Sequence, residues 1–181
     1  MKATGIVRRI DDLGRIVIPK EIRRVMRIRE GDPLEIYVSR EGEIILRKYS
    51  HIGDMSEFAE SYADSIAQTT GNLVCITDRD YVVAAAGPRK KEFEGKPLDQ
   101  ELMDCIETRK TLLLERGERN LVKVTADDEH EFGREAVTPV ICNGDIIGAV
   151  VICGREEEWQ PDIMRQLIKT AAEFLGRQME Q

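Results

Sequence analysis

Apolar residues come in short alternating runs before residue 50 and at helical spacing after it. Leu34, Ile36 and Val38 alternate with Glu35, Tyr37 and Ser39, and that period of two predicts a half-buried strand. Glu41-Gly42 is a two-residue turn signal, and Ile44-Ile45-Leu46 opens a return strand ending in Arg47-Lys48-Tyr49. Upstream, residues 4–9 and the β-branched run 15–18 predict two more strands. Between them Asp11-Asp12-Leu13-Gly14 is a turn cluster in which Gly14 is free to take positive φ. Pro19 opens a helix over residues 20–26, with Ile22, Val25 and Met26 on one face and Arg23, Arg24 and Arg27 on other sides. The order is β-β-α-β-β.

A different rhythm follows. His51-Ile52-Gly53 reads as a joint, and Asp54 or Ser56 is placed to cap the next helix. Met55, Phe58, Ala59, Tyr62, Ala63, Ile66 and Ala67 form an apolar helical stripe that ends at Gly71. Strands are expected at 72–77 and 81–86 around the turn Asp78-Arg79-Asp80, then a polar stretch to Pro97 and a helix over 98–109. Short strands are expected at 111–114 and 121–125, a charged loop over 127–134, and a hairpin of 136–141 with 146–152 about Asn143-Gly144-Asp145. The last helix spans about 161–179. Its stripe of Ile163, Leu167, Ala171, Phe174 and Gln178 runs beside a second one of Ile168, Ala172 and Leu175, enough for a domain core and a partner helix together. The pattern gives an α+β class and three segments: a head over 1–50, a linker over 51–54 and a larger domain over 55–181.

Charge sharpens that division. The 181-residue chain carries a formal charge of −7, yet residues 1–50 hold 12 basic and 8 acidic side chains, against 15 and 26 in the remainder. Arg8, Arg9, Arg15, Lys20, Arg23, Arg24, Arg27 and Arg29 crowd one short stretch, and such asymmetry points to a polyanionic partner for the head. No apolar run approaches the roughly 20 residues that span a bilayer, and the N-terminus has no secretory h-region, so a cytoplasmic protein away from the membrane is expected. Cys75, Cys105, Cys142 and Cys153 sit in apolar runs without metal-ligand spacing and read as buried thiols. His51 and His130 lie in polar surroundings, and the carboxylate runs at 127–129 and 156–158 read as solvated loops, so neither catalysis nor a metal is expected.

About 50 residues with four short strands and one small helix cannot bury enough surface alone, and dimerisation is the remaining route. Against that requirement, "TGIVRRIDDLGRIVIPKEIRR", "GDPLEIYV" and "EIILRKY" resemble the DNA-binding head of the AbrB family of transition-state regulators. The resemblance implies a swapped-hairpin, β-barrel-like homodimer that binds double-stranded DNA in the nucleoid. By motif it implies DNA contacts at Arg8, Arg15, Arg23 and Arg24, with Arg9, Lys20 and Arg27 as secondary candidates. Guanidinium forks suit phosphates and guanine edges alike, and no aromatic residues are interleaved for base stacking.

The later segment "AVTPVICNGDIIGAVVICG" is similar to the closing hairpin of GAF domains. A GAF-like domain behind an AbrB-type head resembles the sporulation regulators of that family. The resemblance implies a transcription regulator, activator or repressor, whose second domain senses a small molecule or assembles a homotetramer. No cofactor or ligand is identifiable from the residues. Two other readings stand beside it. The swapped-hairpin head is shared with antidotes of toxin–antidote pairs, although those continue into extended tails. A ligand-binding signalling protein with incidental DNA contact is the third.

Overall fold

The computed structural model describes residues 5–116, 121–129 and 132–180; Thr4, at the start of the first expected strand, and His130 lie outside them. The chain folds as two compact units that divide between Tyr49 and Ser50.

In the first unit Pro19 stands at the N-cap of helix α1 (Lys20–Val25), one position ahead of the expected place, with φ −57°. Its fixed φ suits helix entry. Strands β1 (Leu34–Val38) and β2 (Ile44–Lys48) pair antiparallel from Leu34↔Lys48 to Val38↔Ile44. Ser39 N–H donates to Glu43 O at 2.9 Å, so the hairpin tip is Arg40-Glu41-Gly42, one residue longer than expected, with Gly42 at φ +81°. The segments 5–9 and 15–18, expected as strands, join no sheet among the described residues. β-branched residues favour an extended shape, but within this chain neither segment pairs with the open edges of β1 and β2. The same lack shows in burial: of the described residues before Ser50, Pro19 alone is buried. Val7, Val17 and Val25 are 86%, 74% and 78% exposed.

The second unit begins with a helical turn, α2 (His51–Asp54), where a linker was expected; the Ser50 hydroxyl caps it by accepting Gly53 N–H at 2.9 Å. Helix α3 (Ser56–Thr70) starts after Met55 without a side-chain cap and stops at Gly71, φ +70°. Five strands follow in an antiparallel sheet: β3 (Leu73–Thr77), β4 (Val82–Ala86), β5 (Leu112–Glu115), β6 (Arg134–Cys142) and β7 (Asp145–Gly154), in spatial order β4-β3-β7-β6-β5. Helix α4 (Gln100–Glu107) lies between β4 and β5 in sequence, and its N-cap Asp99 accepts Glu101 N–H at 2.9 Å. Asn143 and Gly144, with φ +49° and +86°, make the tight turn from β6 to β7.

Strand alternation divides the core. Val74, Ile76, Ala136, Val150 and Ile152 pack with α3 and with the final helix α5 (Pro161–Gln178). Leu73, Cys75, Val137, Val151 and Cys153 pack with Leu102, Cys105 and Ile106 of α4. On α5 the second expected stripe, Ile168, Ala172 and Leu175, is buried together with Ala171 of the first, while Ile163 and Phe174 of the first are exposed. Gly176 permits this approach, since a Cβ there would lie 2.2 Å from the Ile141 carbonyl oxygen. Trp159 is buried against Gly154, whose absent side chain leaves room for the indole. All four cysteines are buried and free. Among the described residues, no helix is long and apolar enough to cross a membrane.

The segment 121–125, expected as a strand, is not one; Thr125 makes an isolated bridge to Leu98. Its N–H groups go to carboxylates instead: Val122 to Glu135, Lys123 to Glu101 and Val124 to Asp128. Side-chain acceptors have replaced a strand neighbour.

Candidate nucleic-acid interface

The turn at 11–15 is organised by one carboxylate. Asp11 Oδ1 accepts the N–H groups of Leu13 at 3.0 Å and Arg15 at 2.8 Å, and Asp11 Oδ2 accepts Arg15 Nε–H at 2.8 Å. The backbone closes the same loop, with Gly14 N–H donating to Asp11 O and Asp11 N–H to Arg15 O. Gly14 sits at φ +75°, where a side chain would be strained. The hydrogen bonds from the backbone and side chain of Arg15 hold the Asp11 carboxyl below the usual carboxylate range; desolvation opposes them and the Leu13 hydrogen bond adds a smaller lowering effect.

Helix α1 presents Lys20, Arg23 and Arg24 at i, i+3 and i+4, one face of a short helix. Arg27 continues that spacing but lies beyond the helix at φ +52°. Arg23 is half-buried and its Nε is buried without a hydrogen-bond partner. Arg8, Arg9, Arg15, Lys20, Arg24 and Arg27 are exposed. No hydrogen bond or ion pair ties the side chains of Arg8, Arg9, Lys20, Arg24 or Arg27 to another described residue, so pairing with Glu21 or Glu30 does not occupy them.

Two further basic side chains of the unit, Lys48 and Arg47, are used internally. Lys48 Nζ reaches Asp32 Oδ2 at 3.2 Å and the Arg27 carbonyl at 2.8 Å, while Arg29 N–H donates to Asp32. The Arg47 guanidinium lies 5.1 Å from the centre of the Tyr37 ring. The head therefore sorts its cations into an uncommitted set and a structural set. Residue types alone identify the cluster; the part played by Asp11 was missed, although its spacing to Gly14 and Arg15 was the signal.

The second unit carries a different chemistry. Glu135 on β6 is buried on the α4 side of the sheet, beside its cross-strand neighbour Cys153. Its Oε2 accepts Val122 N–H at 2.8 Å, and its Oε1 is buried without a partner. Burial pushes this carboxyl up to about 8; the Val122 hydrogen bond opposes the shift, and the charges of Asp128 and Glu101 add to it. Thr125 Oγ1 is a second buried, unpartnered polar atom.

The chain thus joins a small arginine-bearing unit that exposes its own apolar residues to a five-stranded domain flanked by helices. The family model described as "Stage V sporulation protein T C-terminal, transcription factor" matches residues 54–180, and that described as "Antidote-toxin recognition MazE, bacterial antitoxin" matches residues 7–54. The chain is 48% identical to stage V sporulation protein T of Bacillus subtilis (strain 168) over 181 residues, 100% of both chains. It belongs to the stage V sporulation protein T family. Over 74 residues it is 49% identical to the transition state regulatory protein AbrB of the same organism, covering 41% of this chain and 76% of that protein. The second unit has the GAF fold: the cofactor-binding GAF domain of the nutrient sensor CodY from Clostridium difficile superposes with a TM-score of 0.53 at 15% identity, over 66% of this chain and 83% of that one. The family and GAF resemblances read from the sequence are both met.

Proposed function

We propose that the protein is a cytoplasmic, nucleoid-associated regulator of sporulation genes that binds double-stranded DNA as a homodimer through its head. Arg8, Arg15, Arg23 and Arg24 make the principal contacts, with Arg9, Lys20 and Arg27 beside them. The observation that carries this reading is the coincidence of uncommitted arginines with uncovered apolar side chains in one unit. A second copy would cover Val7, Ile16 and Val17 and pair the segments 5–9 and 15–18, giving a swapped-hairpin barrel and doubling the arginines about a two-fold axis. The second unit senses a small molecule or joins dimers into a homotetramer. Phe58, Tyr62 and Phe174 pack against one another within the chain, with ring centres 5.3–6.0 Å apart, and the exposed part of Phe174 on α5 is open to a partner helix in that assembly.

Fluorescence anisotropy on duplex DNA across a salt series tests the reading. Eight arginines across a dimer, each displacing about one counterion, give a slope of log K against log[salt] of roughly −7. A slope near zero, or wild-type binding by the Arg8→Ala/Arg15→Ala protein, overturns it.

The match of a MazE-type description to residues 7–54 favours one alternative, an antidote that neutralises a toxin. Its extended tail is replaced here by a folded domain over 50–180. Copurification of a small toxin from the native host would revive it.

A further inference from the structure

We propose that Asp11 is a positioning residue for DNA recognition: it clamps the Nε edge of Arg15 so that the two Nη groups stand ready as a fork for a guanine edge. The proposal rests on the reading of Arg15 as a DNA contact and adds to it a source of base discrimination.

Arg15 lies on an exposed turn, where a long flexible side chain would ordinarily sample many rotamers and lose that freedom on binding. Here its Nε–H is held at 2.8 Å by Asp11 Oδ2, while Asp11 Oδ1 holds the backbone of the same residue. Side chain and main chain are thus fixed by the two oxygens of one carboxylate. The Nη groups make no hydrogen bond to a described residue, and the Arg15 side chain is 70% exposed. Two parallel N–H donors directed outward match guanine O6 and N7 in the major groove. The Asp11 side chain is the less exposed of the pair, at 37%. The turn closes within one chain, so the clamp exists before DNA arrives and lowers the ordering cost of the contact. A bare acidic residue beside a DNA-binding arginine would otherwise only repel phosphate.

That opposition makes the proposal testable with the full-length protein. The probes are a duplex selected from a random pool by the wild-type protein and an unselected duplex of equal length. In Asp11→Asn the amide oxygen still accepts the Leu13 and Arg15 N–H groups, whereas its NH2 cannot accept from Nε. The preference for the selected duplex is expected to fall about tenfold, with the salt slope unchanged. Removal of one repulsive charge alone would instead tighten binding to both duplexes and keep or raise the preference, and that result overturns the proposal. Asp11→Ser, whose hydroxyl can hold the turn but not reach Nε, is expected to reproduce the loss and serves if the amide variant misfolds. In an Arg15→Ala background neither substitution should reduce the preference further; an additional loss also overturns the proposal. If Arg15→Ala itself keeps the wild-type preference, the assignment of Arg15 as a contact fails. If Arg15→Ala loses it and Asp11→Asn does not, the positioning role alone fails.

Discussion

The two units of this chain solve the burial problem in opposite ways. The second unit encloses two apolar clusters, one on each face of its sheet, and leaves few large apolar side chains outside. The first uses residues with equal strand-forming tendency, yet buries Pro19 alone among those described. Composition does not explain the difference. Val150 and Val151 are fully buried because strands lie on both sides of β7 and helices cover both faces; Val7 and Val17 have neither. Apolar sequence without enough chain to cover it specifies an interface, and in the head that interface is tied to the arginines.

The sharpest way to break this comparison is to place a charge where the head expects a partner. Val17→Asp should lower DNA affinity about a hundredfold or more, because a buried unpaired charge costs several kcal/mol. Sedimentation should show that the heads no longer associate, with the thermal transition of the second unit unchanged. Wild-type assembly and DNA binding by that variant would mean that this surface is never covered.

A smaller effect is expected from Glu135, a carboxyl buried on the α4 side of the second unit's sheet. Folded Glu135 titrates at about 8 against the usual 4.5, so between these values the folded chain keeps a proton that the unfolded chain has released. Raising the pH therefore draws the equilibrium toward the unfolded state, at most ~1.4 kcal/mol per pH unit. The stability is fully present below about 4.5 and is lost as the pH rises through about 8. Urea melts at pH 5 and pH 8 should show this decline in wild type and its flattening in Glu135→Gln. The smallest expected change is Asp99→Ala, which removes the cap of α4 and should cost about 1 kcal/mol, read as a shifted urea midpoint with DNA binding intact.

Much of this architecture is legible in the residues, for identifiable reasons. The α3 stripe and the Asn143-Gly144 turn are local signals, settled by spacing and by backbone conformation. Segment 121–125 misleads because its partners are the carboxylates of Glu101, Asp128 and Glu135, and a β-rich composition does not reveal which acceptor will take an N–H. On α5 two stripes lie side by side, and only the approach of β6 to Gly176 decides that Ile168 and Leu175 face inward while Ile163 and Phe174 do not. The arginines of the candidate interface stand out as a cluster in a motif. The division between uncommitted Arg8 and Arg24, Arg15 held by Asp11 and the internally used Lys48 emerges only when the turn at 11–15 and the Asp32 contact are closed in three dimensions.

Trp159, packed against Gly154, is the chain's one tryptophan. Its emission therefore reports the surroundings of Gly154 in the second unit, whereas the aromatic residues of the head are Tyr37 and Tyr49. Indole fluorescence and the anisotropy of labelled DNA become independent channels on the same sample. Followed together during heating or metabolite addition, they give the order in which the two halves respond.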